Sequence, residues 1–126
     1  MKIGVISDLH VDYNRLTFGE VYNKIEETIR KNDLDAFFIC GDLTNSKEKT
    51  HQWLVELNYH LSTEGLCTVY YIQGNHDEYG SEYKEFDEYY NNLNHKVLPL
   101  TIGDKTINVI GWSGWYDYSF VEKEIH

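Results

Sequence analysis

The sequence is short of three things. It has two cysteines, Cys40 and Cys67, in 126 residues. A disulfide scaffold draws on more than one pair in so small a chain, so both are expected to be reduced residues of the core. It is poor in basic residues, with 11 Lys+Arg against 21 Asp+Glu and a net charge of −10. Non-specific binding to nucleic acid or to an anionic membrane needs a basic surface and is not expected. It also lacks a long apolar run, since nothing approaches the roughly 18 residues that mark a membrane span. Met1-Lys2 is followed by only Ile3-Gly4-Val5-Ile6 before Ser7-Asp8 ends the run, so no secretory leader is visible. A cytoplasmic location is the expectation.

What the chain does hold is enough for one packed domain over residues 1–126. Hydrophobic residues make up 41% and aromatics 15%, with 11 Tyr, which is not the composition of a disordered segment. The acidic balance leaves phosphate substrates open, because carboxylates that hold divalent cations create local positive sites.

Short apolar runs alternate with helical periodicity. Ile3–Ile6, Ala36–Cys40 and Thr68–Ile72 read as strands buried on both faces. Between the first two, Val11–Leu16 is a loop and Thr17-Phe18-Gly19-Glu20 a capping box. Phe18, Val21, Tyr22, Ile25 and Ile29 then follow at helical spacing. Asn45 with Glu48 is a second capping box, ahead of an apolar stripe of Trp53, Leu54, Leu57 and Leu61 that Gly65 stops. A third helix is predicted from Ser81, with Tyr83, Phe86, Tyr90 and Leu93 on one face. A hairpin is predicted from Val97–Ile102 and Thr106–Trp112 around Gly103-Asp104-Lys105. The pattern is a β-α-β-α-β parallel core followed by a helix and a hairpin, with the loops after all three strands on one edge of the sheet.

Each of those loops carries ligand chemistry: Asp8-Leu9-His10, Gly41-Asp42 and Gly74-Asn75-His76-Asp77. Asp8 to Asp42 is 34 residues and Asp42 to Asn75 is 33, the length of one strand, one helix and their connections. Phosphate-ester hydrolysis needs a strong nucleophile and neutralisation of the phosphoryl oxygens, and two cations roughly 3.5–4 Å apart provide both. Asp42, on the middle segment, is the natural bridge between two such ions. Asp8 and His10, two apart on an extended segment, point the same way and hold one metal together. Asn75 offers a neutral carbonyl oxygen to the second. The mixed oxygen and imidazole set suits Mn, Fe or Zn better than Ca. His76 faces away from Asn75 and is placed to protonate the leaving oxygen. Asp77 has two readings, orienting His76 or capping a turn. Asp12 is read as a solvated loop residue, with a supporting role behind the ligands as the alternative. His51, His60 and His95 are read as surface residues.

The ordered set D-x-H, G-D, G-N-H-D, each after a strand, resembles the calcineurin-like metallophosphoesterase family. The resemblance implies an α/β/β/α sandwich, of which the N-terminal half with a following helix and hairpin would be present. It implies Asp8, His10, Asp42 and Asn75 as metal ligands, His76 as the catalytic acid, and a hydroxide bridging two divalent metals as the nucleophile. The substrate would be a phosphomonoester or a phosphodiester. The family pattern also continues with further histidines, including a Gly-His-x-His, and this sequence has none. Past the hairpin it holds only His126. A product truncated before those motifs is the expectation. A half sandwich leaves an apolar sheet face that self-association would cover. The rival reading is a non-catalytic module of the same fold used for protein interaction.

Overall fold

The computed structural model describes residues 1–74 and 91–112. The first strand is β1, Ile3–Ile6, and the chain then turns through Val11–Leu16 into helix α1, Phe18–Asn32. The capping box forms as predicted. The Glu20 backbone N–H donates to Thr17 Oγ1 at 3.2 Å and the Thr17 N–H donates to Glu20 Oε2 at 3.0 Å. Val21, Ile25 and Ile29 are the buried stripe of the helix, and Asp33 ends it in the left-handed region at φ 53°.

Strand β2, Ala36–Cys40, leads to helix α2, Lys47–Thr63. The cap of α2 is Ser46, not Asn45. Ser46 Oγ accepts the Lys49 N–H at 3.2 Å, while the Asn45 N–H is already bound to Asp12 Oδ2 at 2.8 Å. Leu54, Leu57 and Leu61 face inward. Strand β3, Val69–Ile72, is tied to α2 by Asn58, whose amide bonds both the N–H and the C=O of Val69 at 2.8 and 3.1 Å.

The three strands form a parallel sheet in the order β1-β2-β3. Side chains alternate across it. Phe37, Ile39, Val69 and Tyr71 join the helix stripes in the main core, together with Val11 and Leu43. Ala36 and Phe38 look to the other face, where Leu93 and the partly buried Leu98, Leu100 and Val109 pack against them. Those last three belong to the hairpin β4, Lys96–Ile102, and β5, Lys105–Gly111. Its turn is two residues, Gly103-Asp104, because Lys105 pairs with Ile102 rather than joining the loop.

Leu93 is not on a helix face. The Leu93 N–H donates to the Tyr71 carbonyl at 2.7 Å and the Tyr71 N–H to the Asn91 carbonyl at 2.8 Å, so this segment runs extended along β3. The rest of the predicted third helix, and the stretch from Ser113 to His126, lie outside the described residues. Cys40 is exposed, contrary to its expected place in the core, while Cys67 is half-buried. Cys40 shares a face with Ala36 and Phe38 but stands at the end of β2, past the cover they receive. No helix among the described residues is long and apolar enough to cross a membrane.

Candidate metal centre

Parallel pairing brings the C-terminal ends of β1, β2 and β3 to one edge. Three backbone bonds then continue the β1–β2 pairing into the loops. The Asp8 N–H donates to the Gly41 carbonyl at 3.1 Å, the His10 N–H to the Asp42 carbonyl at 2.9 Å, and the Val11 N–H to the Leu43 carbonyl at 2.9 Å. Buried Val11 and Leu43 anchor the two loops from below.

Asp8, His10 and Asp42 all adopt positive φ, at 59°, 44° and 57°. The expectation of an extended Asp8–His10 segment is therefore corrected. The two side chains do converge, but through left-handed backbone at both residues. Positive φ is uncommon outside glycine, tolerated best by Asn, Asp and His, and held against its cost where surrounding structure imposes it. Here the imposing structure is the ladder of loop hydrogen bonds.

One donor atom each from Asp8, His10 and Asp42 lies within 4.8 Å of the other two, the one such cluster among the described residues. His10 Nε2 is 3.4 Å from Asp8 Oδ1. His10 and Asp42 are half-buried and Asp8 is exposed, so the cluster opens to solvent on the Asp8 side. A hydrogen bond from Ser7 lowers the Asp8 carboxyl below its ordinary 3.8. Partial burial opposes this, and hydrogen bonding with Asp42 and the charge of His10 add to the lowering. Two carboxylates and an imidazole this close suit a divalent cation, which removes the repulsion between the two acids.

The third loop closes on the second. A Cβ on Gly41 would fall 2.8 Å from the Gly74 nitrogen and 2.9 Å from its Cα. A Cβ on Gly74 would fall 2.2 Å from Asp42 Oδ1. The glycine of each motif is thus required by the other, and Gly74 delivers the chain to the Asp42 carboxylate. Asn75, His76 and Asp77 lie outside the described residues.

Asp12 is more than a solvated loop residue. It binds the Asn45 N–H at 2.8 Å and pairs with the Lys49 ammonium. Of the remaining histidines, His60 and His95 are exposed as expected and His51 is half-buried. His60 packs its ring against Tyr22 and Tyr59 at 5.4 and 5.3 Å, on the outer side of α1 and α2.

Comparison with known families gives a match to calcineurin-like phosphoesterases over residues 1–124. The chain belongs to that family, whose chemistry is metal-dependent hydrolysis of phosphoesters and whose members are typically dependent on divalent metals. No curated protein gives a significant match.

Proposed function

We propose that this chain hydrolyses a phosphomonoester or phosphodiester with two divalent ions, drawn from Mn, Fe and Zn, and with His76 as general acid. The observation that carries the reading is the convergence of Asp8, His10 and Asp42 within 4.8 Å on strained backbone at a strand-end edge. Asp8 and His10 would hold one ion, Asp42 would lie between the two, and Asn75 would give its amide oxygen to the second. Bound there, the ions would neutralise the phosphoryl oxygens and supply a nucleophile at neutral pH. His76 would give a proton to the departing oxygen, and Asp77 would orient its imidazole. The close approach of Gly74 to Asp42 supports this order, because Gly74 immediately precedes Asn75 in the chain.

The proposal extends to self-association through the apolar sheet face, where Val5 is 61% exposed. The test is hydrolysis of a chromogenic phosphodiester and of the matching monoester with Mn²⁺ present. Turnover that Asp42→Asn abolishes is the expected result. Turnover unchanged by Asp42→Asn would contradict the assignment.

A further inference from the structure

We infer that Asp12 is a positioning residue for the metal cluster, a role that rests on the reading just given. The loop after β1 and the loop after β2 each carry part of the cluster, and their relative placement sets the distance between His10 and Asp42. Three backbone bonds join the loops, from Asp8 to Gly41, from His10 to Asp42 and from Val11 to Leu43. Asp12 adds the next link with its side chain. Oδ2 accepts the Asn45 N–H at 2.8 Å, and the carboxylate pairs with Lys49 in the first turn of α2.

The residue stands two positions after His10, and the Asn45 N–H that donates to it three positions after Asp42. It therefore clamps the ligand loops on the side away from the strands, where no sheet pairing holds them. The clamp is also fixed from behind. Lys49 belongs to a helix capped by Ser46 and anchored by buried Thr50, whose hydroxyl is 2.6 Å from that of buried Thr44. The Asp12 side chain is 24% exposed, so water competes only partly for its oxygens. Its own loop is braced by the Asn14 N–H to the His10 carbonyl and the Leu16 N–H to the Val11 carbonyl, both at 2.9 Å. His10 thus sits between two fixed points, the Asp42 carbonyl on one side and the Asp12 clamp on the other.

Groups that orient metal ligands typically change affinity by about 10–100-fold when removed. Asp12→Ala loses both contacts. Asp12→Asn keeps an oxygen for the Asn45 N–H and loses the charge that pairs with Lys49.

The experiment is Mn²⁺ binding to the full chain by titration calorimetry, for wild type, Asp12→Ala, Asp12→Asn and Asp42→Asn, with thermal midpoints recorded without metal. The expected result is a Mn²⁺ Kd raised about tenfold in Asp12→Ala and restored to within about threefold of wild type in Asp12→Asn. A wild-type Kd in Asp12→Ala, with or without a lower midpoint, would overturn the inference while leaving the proposed function standing. Equal loss in both Asp12 variants would overturn it too, because the amide keeps the bond to Asn45. A wild-type chain that binds no Mn²⁺, or binds it as well after Asp42→Asn, would overturn the proposed function and this inference together.

Discussion

Asp8, His10 and Asp42 trade backbone comfort for convergence. Each holds a left-handed φ that costs on the order of 1 kcal/mol for a residue with a Cβ. Gly41 and Gly74 are the counterpart, with no side chains because the two loops touch there. Gly74→Ala is therefore predicted to act on Asp42, since the added carbon would lie 2.2 Å from Oδ1 and 2.8 Å from the Asp42 nitrogen. Mn²⁺ affinity is expected to fall about tenfold or more while far-UV circular dichroism stays that of the parent. Unchanged Mn²⁺ binding would show that the loops have room to part. The identity of the cluster residues was legible in the sequence, because Asp8, His10 and Asp42 follow apolar runs at matched spacing. Their backbone was not, since hydrophobic patterning carries no sign of φ and an extended D-x-H is the default reading. The role of Asp12 was hidden for a related reason. Its partners are a backbone N–H and a lysine in the next loop and helix, and neither leaves a composition signal.

At the scale of elements, the helices and strands are held by separate local devices. Helix α1 starts at a reciprocal pair of hydrogen bonds between Thr17 and Glu20 and carries none of the cluster residues. Thr17→Ala is predicted to cost about 1 kcal/mol of stability, read as a lower urea midpoint at unchanged slope. Mn²⁺ affinity should not move. A stability loss near zero would mean that packing of Val21, Ile25 and Ile29 alone fixes the start of the helix. Element bounds were legible where a run of one period ended abruptly, as at Ile3–Ile6 and Ala36–Cys40. The cap of α2 was less so. Asn45 and Ser46 are both good caps by residue type, and it is the Ser46 hydroxyl that accepts the Lys49 N–H. Leu93 matched a helical stripe by spacing, but tertiary pairing with Tyr71 took precedence.

For the whole molecule, the two faces of the parallel sheet differ. The helix side is closed by residues such as Leu54, Leu57 and Leu61, all at 0% exposure. Among the described residues, the other side is closed over Phe38 by the hairpin and open over β1, where Val5, in register with Phe38, is 61% exposed. The chain is predicted to self-associate with rising concentration in sedimentation velocity, and Val5→Lys to shift it toward the monomer. A monomer at every concentration would count against self-association through that face. An exposed apolar sheet face was an expectation from the sequence, but which strand would lie open depended on where the hairpin packs, and that is a long-range outcome. The central claim concerns the edge where the three strands end. The most direct measurement is metal content by elemental analysis after loading with Mn²⁺ and desalting, on wild type and Asp42→Asn. About two ions per wild-type chain, lost in Asp42→Asn, is the predicted result. Retention of the same metal by both proteins, or none by the wild type, would contradict a metal centre built on Asp8, His10 and Asp42.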